Sequence, residues 1–297
     1  MPVLTRGKSV NGFLGIDKPA GWTSQDVVSW VRKHFGIKKA GHTGTLDPMA
    51  TGVLPLCLGA YTRLSSYITD GNKQYRAVVR LGMTTDSLDA DGVVTGRSGD
   101  IPADYAQVEA AVAEFRGKIA QVPPMYSAIR MGGRRLYELA RRGIEIDRPA
   151  RNVCVHKLDI VVYAPPLLHL NVHCSKGTYI RSLADDIGKR LGCGAHLSTL
   201  RRTAVGRVEL GQCVAVYELD CAESISDVLL NPHAVLSDLS SVCLTEVQQG
   251  RFSNGNPVTD ILSDVQDIVT VQNSRGILLG LGHIVEGVLK PIRVIQN

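Results

Sequence analysis

Gly41-His42-Thr43-Gly44-Thr45-Leu46-Asp47-Pro48-Met49-Ala50-Thr51-Gly52-Val53-Leu54-Pro55 places one carboxylate, Asp47, in a glycine-rich loop that runs straight into an apolar segment, Val53 to Leu58. Glycine lets a backbone come close to a bulky ligand. Proline at 48 biases Asp47 to extended geometry. A lone acid in such a loop is a candidate nucleophile rather than part of a metal cage. The plainer alternative is an aspartate that caps a turn before proline. The rest of the chain has to choose between them.

The segments on either side predict a mixed α and β architecture. Asn11 to Asp17 reads as a strand, and Lys18-Pro19-Ala20-Gly21 as a turn. Thr23-x-x-Asp26 has the form of a capping box, followed by Val27, Trp30, Val31 and Phe35 on one helical face and Gly36 as a stop. After the loop, Val53–Leu58 is a short buried strand. Tyr75, Ala77, Val79 and Leu81 alternate to one side of another. Residues 82–99 read as a polar, glycine-rich loop. Val108, Ala111, Val112 and Phe115 mark a helix, and residues 134–142 a short basic helix ended by Gly143. Strands are expected at 152–163 and 167–174, then an amphipathic helix through Ile180, Leu183, Ala184, Ile187 and Leu191, then strands at 197–202 and 205–210. Residues 1–10 read as a loose tail. Beyond about residue 240, short β-prone segments separated by turns predict an all-β module of some 55 residues. The βα alternation of a doubly wound sheet is missing, so the fold class is α+β with a mainly antiparallel sheet.

Composition narrows the function. Apolar residues at 44% and charged residues at 21% are ordinary for a globular chain, and no apolar run is long enough for a membrane span. The first residues lack the apolar core of a signal peptide, so a cytoplasmic location is expected. Seven cysteines without a Cys-x-x-Cys pair argue against a disulfide framework or zinc ribbon. Neither Gly41-x-x-Gly44 nor Lys176-Gly177-Thr178 satisfies the phosphate-binding loop pattern. The net charge of +5 is unevenly spread: residues 116–151 carry nine Lys/Arg against three acids, 189–207 carry five with no acid, and 214–270 carry nine acids against Arg251. One part of the molecule is suited to a polyanion. Arg130, Arg141 and Arg202 are candidate phosphate contacts.

Arg181 lies about 100° round from Ile180 on its helix, at the edge of the buried face. A guanidinium there can pair with a carboxylate from another loop and favour its charged form. Tyr75 and Tyr179 stand beside basic residues, where an aromatic ring can stack on a base at about 1–3 kcal/mol. His42 is a candidate for stacking or a phosphate contact, and Lys18 for a phosphate contact or support of the Asp47 loop.

Four segments together, Gly15-Ile16-Asp17-Lys18-Pro19-Ala20-Gly21-Trp22-Thr23-Ser24, the Asp47 loop, Lys73-Gln74-Tyr75 and Lys176-Gly177-Thr178-Tyr179-Ile180-Arg181-Ser182-Leu183, resemble the TruB family of tRNA pseudouridine synthases in content and order. Gly194-Ala195-His196-Leu197 and Leu200-Arg201-Arg202 extend the resemblance, and Pro123-Pro124-Met125-Tyr126-Ser127-Ala128 resembles the family's RNA-gripping insertion, at about 124–151. The resemblance implies a catalytic domain at 11–240 and a small PUA-like β-barrel that binds RNA at 241–297, with Phe252-Ser253-Asn254-Gly255-Asn256-Pro257-Val258 as its best local match. It implies conversion of the T-loop uridine at tRNA position 55 to pseudouridine, without cofactor or metal, by a cytoplasmic monomer with no membrane association and no obligatory protein partner. In this reading Asp47 is the essential aspartate, Arg181 its ion-pair partner and Tyr75 the ring under the flipped uracil. His42 fills the space the base leaves, and Tyr179 and Leu200 line the pocket. Two alternatives share the scaffold: a non-catalytic RNA-binding or RNA-folding protein, and a guide-RNA-dependent relative.

Overall fold

The computed structural model describes residues 10–222, 224–261 and 265–295. The expected tail at 1–10 falls almost wholly outside them. The chain forms two compact units: Met1–Leu46, Val53–Asp70 and Val205–Asn297 make the first, and Asp47–Gly52 with Gly71–Ala204 the second. The Asp47 loop is thus cut in sequence: its histidine side belongs to one unit and its aspartate to the other.

In the first unit the strand Gly12–Lys18 pairs in parallel with Val214–Ala215 and antiparallel with Leu229–Leu230. Ala40–His42 pairs antiparallel with the strand that runs Thr51–Leu58, Gly41 opposite Cys57. The helix Ser24–His34 begins at a complete capping box: Asp26 N–H donates to Thr23 Oγ1 at 3.1 Å, and Thr23 N–H to Asp26 Oδ2 at 2.8 Å. Gly36 follows in the left-handed region, φ +64, as its expected role as stop requires. Phe13, Val53, Tyr61, Leu64, Val205 and Leu281 share one apolar core. The C-terminal sheet has the order Ser240–Leu244, Ile268–Asn273, Leu278–Val285, Val288–Val294. The sequence predicts an all-β module here, and the structure corrects that. A helix, Glu246–Ser253, starts at the capping box Thr245/Gln248 and buries only Phe252, so it carries little amphipathic periodicity to read.

The second unit is built on one sheet. Its strand order is Ala195–Val205, Lys73–Leu81, Leu167–Cys174, Arg151–Ala164, Gly117–Gln121. The last four pair antiparallel with one another in that order, while Thr51 and Gly52 lie parallel to Arg201 and Arg202. Along Lys73–Leu81 the buried residues are Lys73, Tyr75, Ala77, Val79 and Leu81, with Gln74, Arg76 and Arg80 exposed. The helices Tyr105–Ala113 and Ile180–Arg190 contact this sheet and each other, and burying each Val or Leu beneath them contributes about 1.5–3 kcal/mol.

Three expectations are corrected here. Residues 82–99 are not simply a loop, because Met83–Thr85 and Val94–Arg97 form a hairpin. The two strands expected at 197–202 and 205–210 are one long strand, Ala195–Val205, then a turn at Gly206 and a short strand, Val208–Glu209. The basic helix at 134–142 is shortened to Leu136–Ala140. Ahead of it Arg130–Met131 pairs with Arg134–Arg135 across Gly132-Gly133, both at positive φ, the backbone that a two-residue hairpin turn demands. Among the described residues no helix is long and apolar enough to cross a membrane.

Candidate active site

The backbone around Asp47 is fixed by hydrogen bonds on both sides. Leu46 N–H donates to Ser24 Oγ at 2.8 Å, and Ser24 Oγ–H reaches Leu46 O at 3.2 Å. Thr43 N–H donates to Pro55 O at 3.0 Å, and Ala50 N–H to Asp47 O at 3.1 Å. Ser24 therefore fixes the backbone immediately before the aspartate. Gly52 sits at φ +100, and a Cβ there would lie 2.1 Å from Arg202 O. Its lack of a side chain serves strand pairing inside the protein, not the approach of a ligand as the loop sequence suggests.

Arg181 is the centre of the second unit's charge network. Its side chain is 4% exposed, against 30% for that of Asp47. Nη2 donates to Asp47 Oδ1 at 3.0 Å, while Nε lies 2.9 Å from Oδ2, close enough for an ion pair but poorly aligned for a hydrogen bond. Nη2 also donates to Tyr126 O at 2.7 Å and Nη1 to Ser87 O at 3.1 Å. Nη1 is 3.5 Å from Asp89 Oδ2. One guanidinium thus bridges two carboxylates, and two backbone carbonyls complete its donor fork. The more exposed carboxylate, Asp47, is the one a ligand can reach. The sequence places Arg181 at the boundary of a helix face, while no motif marks Asp89, which lies in the polar stretch 82–99. Asp89 is buried, accepts from Ser87 Oγ and from Asp91 N–H, and forms a bridge with Leu197. The one sequence signal for it was an acid that recurs in a compact glycine-rich turn.

Tyr75 is buried on the same sheet, opposite Val172. Burial pushes its hydroxyl up to about 12, partly opposed by the neighbouring Arg202 guanidinium and reinforced by the negative charge of Asp47. It is a neutral phenol at physiological pH: a hydrogen-bond donor, not a phenolate. Tyr179 is half-buried at the N-terminus of the helix Ile180–Arg190. Burial raises its hydroxyl pKa, against the pull of Ser127 and the Arg181 and Arg151 charges. Gln121, a residue sequence reading did not single out, clamps the Tyr179 backbone: Tyr179 N–H donates to Oε1 at 2.7 Å, and Nε2 donates to Tyr179 O at 3.0 Å. Leu200 is buried on its strand.

Two expected phosphate contacts are corrected. Arg202 is 2% exposed because its position alternates inward on Ala195–Val205, where its charge acts on the Tyr75 hydroxyl. Lys18 is fully buried and donates to Pro19 O at 2.8 Å and to Trp22 O at 2.6 Å. It holds the Pro19–Trp22 turn. Arg130 and Arg141 are exposed, and Arg141 lies 5.5 Å from the Tyr137 ring centroid. His42, in the first unit, is half-buried and accepts Gly44 N–H at Nδ1. Among the described residues no group of three or more His, Cys, Asp or Glu side chains is placed to hold a metal ion.

The architecture is that of a pseudouridine synthase. A chain from the crystal structure of a Cbf5–Nop10–Gar1 complex aligns over 96% of this chain and 84% of its own length, with a TM-score of 0.74 and 26% identity. Residues 32–180 match the TruB family pseudouridylate synthase N-terminal domain, 181–233 the tRNA pseudouridylate synthase B C-terminal domain, and 240–295 the C-terminal domain of pseudouridine synthase II TruB. The tRNA pseudouridine synthase B of Dechloromonas aromatica (strain RCB) is 45% identical over 97% of both chains. That of Escherichia coli (strain K12) is 40% identical over 98% of this chain and 96% of its own. The chain belongs to the TruB family of pseudouridylate synthases.

Proposed function

We propose that the chain isomerises the T-loop uridine at tRNA position 55 to pseudouridine, with Asp47 as the catalytic carboxylate. The observation that carries the assignment is a carboxylate one-third exposed and held in two-point contact by a buried guanidinium. Such a pair keeps an ionised, oriented oxygen on the more exposed of the two carboxylates. The reaction breaks the C1′–N1 bond, rotates the uracil and joins C1′ to C5, and the C5 proton is released as N1 takes one up. Atoms and electrons balance with no added group. Attack on the ribose, attack on the base and a glycal route all use the same ionised carboxylate.

The target bond is out of reach inside a folded loop, so the nucleotide has to be extruded at a cost of a few kcal/mol. Stacking on the Tyr75 ring and contacts from Arg130 and Arg141 to phosphates offset that cost. Tyr179 and Leu200 wall the pocket, and His42 takes the place of the extruded base. The neutral Tyr75 hydroxyl is suited to donate a hydrogen bond as charge moves between base and sugar.

The catalytic domain is assigned to 11–240, with its RNA-gripping insertion at about 124–151, and a PUA-like RNA-binding domain to 241–297. The third family match, beginning at residue 240, supports that boundary. Identity of 45% and 40% to tRNA pseudouridine synthase B chains, against 26% to the Cbf5 chain, favours action on bare tRNA over the guide-dependent reading. A monomeric, cytoplasmic enzyme without protein partner or cofactor is part of the same proposal. The test is tritium release from carbon-5-labelled uridine in a T-arm hairpin. Wild type should release it, and Asp47→Asn should bind the hairpin without release. Retained turnover would remove Asp47 from the chemistry, and no turnover by wild type on unguided RNA would remove the activity.

A further inference from the structure

At the far end of the strand Lys73–Leu81, a cavity of about 340 Å³ is lined by Arg80, Gly82, Arg97, Ser98, Gly99 and Ile101, among others. It is separate from the Asp47 network. Arg80 and Arg97 are both exposed, and neither makes a side-chain hydrogen bond or ion pair among the described residues. Other arginines of the same unit are neutralised: Arg116 by Glu109 at 2.8 Å and Arg190 by Glu114 at 2.6 Å. Asp100, next to the cavity in sequence, directs its backbone N–H to Ser98 Oγ and pairs with neither arginine. Gly82 stands at φ +77, where a side chain would strike Ile101 and Ser98 O. The backbone thus folds tightly beneath two free guanidiniums.

The neighbourhood extends the charge. Arg76 and Arg80 are exposed on the same face of one strand, about 13 Å apart at the usual rise per residue. Arg76 is also without a partner among the described residues. Asp159, which shares this face two strands away, is bound to Lys157 at 3.0 Å. Free cations in a row fit successive phosphates better than one small anion does. Alternate residues of a strand point to opposite faces. Arg76 and Arg80 therefore face away from Tyr75, across the sheet from the site of the extruded base.

We propose that the Arg80–Arg97 cavity, with Arg76 as its outlying cation, binds backbone phosphates of the tRNA that lie outside the T-arm. This rests on tRNA being the substrate. A hairpin held by its flipped base on one face of the sheet leaves the opposite face to the remainder of the molecule.

The experiment measures affinity of the full chain for intact tRNA and for the isolated T-arm hairpin over a range of salt concentrations. The variants are the double substitutions Arg80→Ala/Arg97→Ala and Arg80→Lys/Arg97→Lys. The alanine pair should bind intact tRNA about tenfold more weakly, with a salt slope shallower by about one to two. Hairpin affinity and hairpin turnover should stay at the wild-type level, and the lysine pair should keep most of the affinity for intact tRNA. Unchanged binding of intact tRNA by the alanine pair overturns the proposal. So does an equal loss on both RNAs, which would place these arginines in the T-arm footprint, or an equal loss in the lysine pair, which would trace the effect to packing. Hairpin turnover by the unsubstituted chain reports separately on the proposed activity.

Discussion

Arg181 and the arginines of the insertion lie in the same unit and use the same side chain for opposite ends. Arg181 is buried; it pairs with two carboxylates and donates hydrogen bonds to Asp47 and two backbone carbonyls. Arg130, Arg134 and Arg142 are exposed, with no side-chain partner among the described residues. A buried guanidinium that has given up its water has to be matched by fixed acceptors, and it repays them by fixing their geometry. An exposed one keeps its water and remains available to any phosphate that approaches. The same formal charge therefore organises a buried network in one region and, under the proposed function, would meet phosphates in the other.

The comparison breaks most readily at Arg181. Arg181→Ala leaves Asp89 buried and Asp47 half-open without their cation, and should cost about 3 kcal/mol in stability. Turnover should fall by about 100-fold or more, since removal of a fixed electrostatic partner is of that order. Denaturant midpoints and the tritium-release assay check both, and a fully stable variant would mean that Arg181 is not the organising cation. Tyr75 probes the same region through pH. Its hydroxyl pKa is raised from 10.0 to about 12 in the fold. Its contribution to stability is therefore complete below about pH 10 and is lost as pH climbs to about 12. Urea midpoints should fall across that window in wild type, without RNA, and markedly less in Tyr75→Phe. Equal pH slopes in the two proteins would count against a buried neutral phenol.

Asp89→Asn keeps the shape but removes one of the two charges on Arg181, and should cost about 1–2 kcal/mol. RNA affinity should be unaffected, because Asp89 is buried. A filter-binding titration beside a thermal melt decides it, and weakened RNA binding at unchanged stability would reverse the assignment. The smallest effect on stability belongs to the insertion. Arg130→Ala and Arg142→Ala should each stay within about 0.5 kcal/mol of wild type. Each should nonetheless lower RNA affinity and reduce the salt slope by about one. A flat salt response in the wild type itself would dissolve the contrast between the two regions.

How far the sequence could be read follows from the range of each interaction. The capping box at Thr23 and Asp26, the stop at Gly36 and the alternation from Tyr75 to Leu81 involve residues within a few positions of each other, and all stand in the structure where their pattern puts them. The helix Glu246–Ser253 escaped because one buried phenylalanine makes no period. The hairpin at Met83–Thr85 and Val94–Arg97 escaped because its strands are too short to alternate. At the site, Asp47, Tyr75 and Arg181 were legible as a set only through their likeness to one family. Asp89, Ser24 and Gln121 were not, because nothing near them in sequence names the groups they hold.

The chain by itself determined its local elements and the presence of an acid in a loop, a phenol on a strand and a guanidinium on a helix, since these rest on backbone sterics and on side chains a few residues apart. Only the tertiary structure decided which cations are spent inside the protein. Lys18, Arg181 and Arg202 look in sequence like Arg130 and Arg141, yet the first three are buried. Burial depends on which distant strand or loop closes over a side chain, and so does the contact of 2.9 Å between two residues 134 positions apart.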